Sequence, residues 1–169
     1  MPTANRASVL RKTLESLAAQ SIQPKEIIVI DASEDDATQA AITLPVSGLL
    51  SSIVYVKGNN RGAATQRVQG IQEANTGFIL FMDDDILLDA ECIARLWKGM
   101  QSDATVGGVN AMIRNQRYHT PGRLSAWMYR YMHGKKEASY AGKCIGPAWN
   151  LLPEDRDDLP ELVAAEWLN

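Results

Sequence analysis

The sequence predicts an α/β fold with a mainly parallel sheet flanked by helices, because short apolar strands alternate with amphipathic helices at short connections. Two strand candidates, "EIIVI" at 26–30 and "FILFM" at 78–82, are apolar throughout. Such runs are typical of strands covered on both faces. A third candidate, "SSIVYVK" at 51–57, lies between Gly48 and Gly58, which favour turns.

Helical patterns fill the segments between these strands. Leu10, Leu14 and Leu17 recur with the spacing of one face of an amphipathic helix. Asp89 is expected to cap the N-terminus of another helix. The predicted helices cover residues 8–20, part of 60–75 and 90–100, a short helix follows Asp31, and residues 106–113 are a further strand candidate.

Composition excludes several classes of protein. The chain has 169 residues and a net charge of −3, which gives no basic face for nucleic acid. Its two cysteines, Cys92 and Cys144, are too far apart in sequence to suggest a disulfide framework or a zinc site. No apolar run reaches the roughly 20 residues of a membrane helix. We therefore expect a cytoplasmic protein.

Acidic residues follow two of the predicted strands. Asp31 comes directly after "EIIVI", and Asp83, Asp84 and Asp85 come directly after "FILFM". In open α/β sheets, ligands bind outside the carboxyl ends of the strands. Crowded carboxylates repel unless they share a cation, and Mg²⁺ or Mn²⁺ held by one or two of them keeps positions open for phosphate oxygens. The triplet therefore indicates a diphosphate site, whereas a solvated acidic turn is the alternative.

Four segments in order carry a family resemblance. They are "PTANR" at 2–6, "EIIVIDAS" at 26–33, "NNRGAATQRVQGIQEANTGFILFMDDD" at 59–85 and "EWLN" at 166–169. Together they resemble successive motifs of the family 2 glycosyltransferases, a large inverting group with the GT-A fold. The resemblance runs over nearly the whole chain.

The resemblance implies a nucleotide site and a metal site. Asp31 matches the acid that accepts a hydrogen bond from the base, usually uracil. Asp83 and Asp85 match the D-x-D pair that holds Mg²⁺ or Mn²⁺ against the donor diphosphate, and Asp84 is a further candidate ligand. Asn60, Gly62, Arg67 and Gly70 match positions of the motif N-x-G-x-x-x-A-R-N-x-G. The nucleotide-binding residues implied in this way are Pro2, Thr3, Asn5, Arg6, Asp31, Ser33, Asn60, Gly62, Arg67, Asp83 and Asp84.

The function implied by the resemblance is metal-dependent sugar transfer with inversion. The donor would be a nucleoside diphosphate sugar, UDP- or dTDP-linked, and the acceptor a carbohydrate or a lipid-linked sugar, as in cell-envelope polysaccharide biosynthesis. Residues 1–114 would form the donor-binding subdomain, and residues 115–169 would begin the acceptor side. Attachment to the inner face of the membrane is left open, because residues 123–136 combine aromatic and basic side chains that packing within a helix would also explain.

The chain departs from the family pattern at both ends. Relatives have an apolar strand before the "PTANR" segment, between the strands represented here by 26–30 and 78–82, whereas only Met1 stands there. The acidic catalytic base of relatives lies beyond "EWLN". We therefore expect a fragment that lacks the first strand and the base, is inactive alone and is unstable.

Two other functions remain as alternatives. A sugar-phosphate nucleotidyltransferase also combines a nucleotide-binding sheet with metal-binding acids, but its glycine-rich loop is not seen in "PTANRAS". A catalytically silent nucleotide-binding module is the alternative outside the enzymes.

Overall fold

The computed structural model describes residues 1–111, together with residues 124, 127, 128 and 131. The chain divides into two compact units, Met1–Arg95 and Leu96–Asn169. The predicted division by function after residue 114 stays a prediction, since residues 115–169 lie outside the described part except at those four positions. The described elements are β1 (Pro2–Thr3), α1 (Ala7–Ala18), β2 (Glu26–Asp31), α2 (Ala37–Thr43), β3 (Ser52–Lys57), α3 (Ala63–Glu73) and α4 (Cys92–Met100).

The three described strands form a parallel sheet in the order β1-β2-β3. Glu26 to Asp31 of β2 pair in register with Ser52 to Lys57 of β3. On the other side of β2, Thr3 of β1 lies opposite Asp31. The carboxyl ends of all three strands therefore meet at one edge of the sheet, and the predicted α/β class is confirmed.

The apolar face of α1 packs on the sheet as the leucine spacing predicts. Leu10 and Leu14 are fully buried and cluster with Val29 of β2. Met82, Leu88 and other partly buried side chains lie against this cluster. The packing fixes α1 against β2.

Two of the predicted strands are not strands in the structure. Residues 78–82 form no strand, and the side chains of Phe78, Ile79, Leu80 and Phe81 are 43–59% exposed. An extended segment needs a neighbouring strand to satisfy its backbone groups. β1 has only two residues and offers little backbone for such pairing. The predicted strand at 106–113 is also absent over residues 106–111, and its last two residues lie outside the described part.

The aromatic segment is described at four positions. Leu124, Trp127, Met128 and Tyr131 are helical and exposed, and the rings of Trp127 and Tyr131 stack with centroids 5.8 Å apart. Among the residues that the structure describes, none of the helices has the length and apolar character needed to cross a bilayer.

Matched leucine substitutions distinguish the buried helix face from the exposed segment. Leu14→Ala should lower the free energy of unfolding by about 2–5 kcal/mol, because Leu14 is 0% exposed and its loss leaves a cavity. Leu80→Ala should change it by no more than about 0.5 kcal/mol, because that side chain is 45% exposed. Urea denaturation followed by circular dichroism measures both. Equal losses would show that residues 78–82 are buried after all.

Candidate functional site

Asp84 anchors the acidic triplet to two neighbouring elements. Its side chain is buried, and its Oδ2 accepts a 2.6 Å hydrogen bond from the hydroxyl of Thr3 at the end of β1. Its backbone carbonyl accepts a 2.7 Å bond from the hydroxyl of Thr13 on α1. Thr3 and Thr13 are themselves buried. Both side chain and backbone of Asp84 are therefore held from inside the fold.

Arg6 bridges two members of the triplet with one nitrogen atom. Its Nη1 lies 3.3 Å from Oδ1 of Asp84 and 3.1 Å from Oδ2 of Asp85. The side chains of Arg6 and Asp85 are 54% and 50% exposed. Pairs this exposed are worth about 1 kcal/mol or less, because water and salt screen them. The bridge shows that carboxylates of Asp84 and Asp85 converge on one cationic atom.

Asp83 has a different partner. Its Oδ1 accepts a short hydrogen bond from Nη2 of Arg67 on α3. Asp83 therefore pairs with Arg67, whereas Asp84 and Asp85 share Arg6. These contacts differ from the alternation of an extended backbone, in which Asp83 and Asp85 would share one side, because Asp84 and Asp85 lie in a turn.

The triplet and its arginines line one cleft of about 360 Å³. Three carboxylates face two guanidinium groups there, so the formal charge of the lining is negative. A diphosphate would be repelled by such a lining unless a cation entered with it. The full lining is Pro2, Thr3, Ala4, Arg6, Ala63, Gln66, Arg67, Asp83, Asp84 and Asp85.

Gln66 fastens the cleft to the sheet. Its buried side-chain amide donates hydrogen bonds of 2.9 Å to the carbonyl of Thr3 and 2.7 Å to the carbonyl of Ile30. It thus ties α3 to the ends of both β1 and β2. Since Thr3 in turn holds Asp84, Gln66 supports the triplet indirectly.

Asp31 is fully buried at the end of β2, and its carboxylate accepts hydrogen bonds from groups of the protein. Its Oδ1 accepts from the backbone N–H and the hydroxyl of Ser33, and its Oδ2 accepts a 3.0 Å bond from the hydroxyl of Tyr55. Ser33 Oγ also accepts from the backbone N–H of Asn5. This network holds the loop after β2 against the loop after β1, and the contact of Asp31 with a base stays a prediction.

The pKa of Tyr55 is raised by its surroundings. Burial and then the hydrogen bond to Asp31 raise the pKa of its phenol to about 12. Both effects favour the neutral phenol over the phenolate.

The remaining predicted residues shape loops around the cleft. Asn5 adopts a left-handed conformation with φ 55°, and its Oδ1 accepts a hydrogen bond from the backbone N–H of Glu34. Gly62 has φ 146°, which favours glycine, and directly precedes α3. Asn60 is exposed in the same loop. The structure thus gathers Pro2, Thr3, Arg6, Arg67 and the triplet into the cleft, whereas Asn5, Asp31, Ser33, Asn60 and Gly62 are outside its lining.

The contacts of the triplet bear on whether it can hold a metal ion. Among the described residues, no three His, Cys, Asp or Glu side chains are grouped so as to hold a metal ion. Asp84 and Asp85 nevertheless present oxygens to a single cationic nitrogen. Mg²⁺ is commonly held by one or two carboxylates and completed by water and substrate phosphates. The two carboxylates therefore fit a divalent ion as a donor set.

Comparison with known proteins identifies the family. A family model described as glycosyl transferase family 2 matches residues 1–149. The chain belongs to this family. Family 2 membership confirms the resemblance drawn from the four sequence motifs, and the parallel sheet flanked by helices is consistent with a GT-A-type domain.

Two kinds of curated relative are similar to this family 2 chain. Poly-beta-1,6-N-acetyl-D-glucosamine synthase of Staphylococcus aureus (strain COL) is 27% identical over 178 residues, which cover 96% of this chain and 43% of the relative. Glycosyltransferase GlyA of Streptococcus pneumoniae serotype 4 is 27% identical over 110 residues, which cover 63% of this chain and 16% of the relative. The chain thus spans less than half the length of either relative.

Sequence reasoning missed Gln66, Thr13 and Tyr55. Gln66 stands where the family 2 motif has Ala, and this departure is a signal that could have singled it out. Thr13 interrupts the apolar face of α1 next to Leu14, so a buried hydroxyl needing a partner was also foreseeable. No comparable signal marks Tyr55.

Removing the Gln66 amide should weaken the fold at the cleft. Gln66→Ala should lower the free energy of unfolding by about 1–3 kcal/mol, because two buried carbonyls lose a donor. The matched control is Gln39→Ala on an exposed position of α2, which should cost no more than about 0.5 kcal/mol. Urea denaturation measures both variants, and equal effects would mean that the amide contributes nothing.

The raised pKa of Tyr55 predicts a loss of stability at high pH. The folded state favours the neutral phenol, so this stabilisation is complete below the ordinary pKa of 10.0 and is lost as pH rises toward about 12. Between these pH values the unmodified protein should lose more stability than Tyr55→Phe, as measured by urea denaturation at each pH. Parallel losses would show that the fold does not raise the pKa of Tyr55.

Proposed function

We propose that this protein binds a nucleoside diphosphate sugar, UDP- or dTDP-linked, and serves metal-dependent, inverting transfer of the sugar to a carbohydrate or lipid-linked acceptor. Family 2 membership supports sugar transfer. The observation that carries the proposal is the cleft where Asp84 and Asp85 converge beside two arginines at the carboxyl ends of β1 and β2. Acids that converge on one cation, with guanidinium groups next to them, suit a diphosphate and its metal.

Each group in the cleft has a definable role in this function. Asp84 and Asp85, which converge on Arg6, would hold Mg²⁺ or Mn²⁺ in place of the Asp83 and Asp85 pair expected from the D-x-D pattern. The metal would supply Lewis-acid stabilisation of the departing diphosphate. Thr3 keeps the Asp84 carboxylate in place through its 2.6 Å hydrogen bond. Arg67, oriented by Asp83, presents a guanidinium group on the cleft wall, where it can donate to phosphate oxygens.

The loops beside the cleft suit the nucleoside. Asn5 and Ser33 join the loops after β1 and β2 through the bond from the Asn5 N–H to Ser33 Oγ, at 2.7 Å. Asp31 holds the loop after β2 in position by accepting a hydrogen bond from the backbone N–H of Ser33. For Asp31 to read a base directly, the base would have to take the place of the Tyr55 hydroxyl on Oδ2.

A relative suggests the class of product, and exposed aromatic side chains suggest the cellular location. The Staphylococcus aureus relative is a polysaccharide synthase by its name, which supports a role in cell-envelope polysaccharide biosynthesis. Exposed Trp127 and Tyr131 suit the boundary between water and lipid headgroups. These features support a cytoplasmic protein peripheral to the inner face of the membrane, where a lipid-linked acceptor would be reached.

Nucleotide titration tests the proposal. UDP should bind more tightly with Mn²⁺ than without it, and Asp85→Ala should weaken the metal-dependent binding roughly tenfold or more, because it removes a proposed ligand. Isothermal titration calorimetry with and without Mn²⁺ measures this. The control is Glu91→Gln, which neutralises an exposed carboxylate outside the triplet and should change nothing.

Other outcomes favour the alternatives. UDP binding that is indifferent to Mn²⁺ would favour a catalytically silent nucleotide-binding module. Release of pyrophosphate from UTP in the presence of a sugar 1-phosphate would instead favour a nucleotidyltransferase.

A further inference from the structure

The guanidinium group of Arg6 pairs with both Asp84 and Asp85. One of its nitrogens, Nη1, lies within 3.3 Å of a carboxylate oxygen from each acid. Arg6 also lines the cleft, with more than half of its side chain exposed. Its guanidinium group therefore has both a tight contact with the acids and open space into which it can move.

Two cations cannot use the same oxygens in the same geometry. A divalent ion bound to Oδ1 of Asp84 and Oδ2 of Asp85 would displace Nη1 from both atoms, and like charges at that distance repel. Binding of the free metal must therefore overcome the existing arginine contacts. Arg6 competes with the metal for the carboxylates of Asp84 and Asp85 as long as its guanidinium group has no other anion to pair with.

The contacts differ in how easily they are exchanged. The Arg6 bridge is half exposed, whereas the bond from Thr3 to Oδ2 of Asp84 is buried. Departure of Arg6 would therefore leave the Asp84 carboxylate held by Thr3 and its backbone held by Thr13. The acid keeps its position while its cation is replaced.

Resting on the proposed function, we propose that Arg6 is an exchangeable internal counter-ion that excludes metal from Asp84 and Asp85 until a diphosphate arrives. The diphosphate would then pair with the Arg6 guanidinium group and leave Asp84 and Asp85 to hold the metal. Metal and nucleotide consequently bind cooperatively, and each raises the affinity for the other by the same factor. Arg67 does not have this role, because its partner is Asp83.

The test is metal binding without nucleotide. Arg6→Gln should bind Mn²⁺ alone about three- to fivefold more tightly than the unmodified protein, a change of the size expected for loss of an exposed ion-pair competitor. Electron paramagnetic resonance of free Mn²⁺ measures this binding without any activity. Arg6→Gln keeps the backbone carbonyl that accepts hydrogen bonds at the start of α1 and leaves Thr3 as a donor to Asp84, so the variant should fold.

The cooperativity gives a second measurement. The factor by which UDP raises Mn²⁺ affinity should be smaller in Arg6→Gln than in the unmodified protein. The reason is that Mn²⁺ then has no arginine to displace from Asp84 and Asp85 when UDP is absent. Arg6→Lys, which retains a cation, should remain closer to the unmodified protein. Lys12→Gln removes one exposed charge from α1 and controls for a general change of electrostatic potential.

Three outcomes would overturn the proposal. Unchanged Mn²⁺ affinity in Arg6→Gln, with UDP still binding in a metal-dependent manner, would refute the role of Arg6 and leave the proposed function standing. An equal gain in Lys12→Gln would show that net charge alone is responsible. Absence of Mn²⁺ binding in the presence of UDP would refute the role of Arg6 and the metal-dependent function together.

Discussion

The hydrogen bond from Thr3 to the buried carboxylate of Asp84 determines the geometry of the cleft. A carboxylate removed from water is costly unless donors surround it. Here the Thr3 hydroxyl and the Arg6 guanidinium supply them, while the Thr13 hydroxyl satisfies the Asp84 carbonyl. With the middle residue of the triplet fixed in this way, the two residues beside it reach different arginines. Asp83 then meets Arg67, and Asp85 meets Arg6.

Sheet register explains why these groups meet at all. Thr3 lies opposite Asp31 in the parallel pairing of β1 with β2, so both strands end at the same edge. Gln66 bonds the carbonyls of Thr3 and Ile30 and keeps the two ends together. A polar side chain buried at this junction is tolerable because both of its contacts are to backbone acceptors that the strand ends leave available. The backbone pairing of β1 with β2 therefore fixes where Thr3 and Asp31 lie, independently of any ligand.

Much of this arrangement could be predicted from the sequence, and the failures have a physical cause. Leucine spacing located α1, and apolar runs located β2 and β3, because local periodicity decides those elements. The run "FILFM" satisfies the same pattern but forms no strand, since strand formation also requires a partner that local sequence does not reveal. The triplet was located by its position after an apolar run, but its ion-pair partners were not. Pairing of Arg6 with Asp85 joins residues 79 positions apart and depends on the fold.

The two buried acids at this edge, Asp31 and Asp84, differ in how easily their hydrogen-bond partners can be replaced. Asp31 has no exposed surface, and the donors to its oxygens belong to Ser33 and Tyr55, which are fixed in the loop after β2 and in β3. Asp84 has one oxygen bound to buried Thr3 and the other facing half-exposed Arg6. Exchanging a donor of Asp31 disturbs the packing of the sheet edge, whereas exchanging the cation at Asp84 disturbs only a solvated side chain. The same residue type therefore serves two purposes: at Asp31 the carboxylate braces the loops, and at Asp84 it stays available to a ligand without losing its anchor.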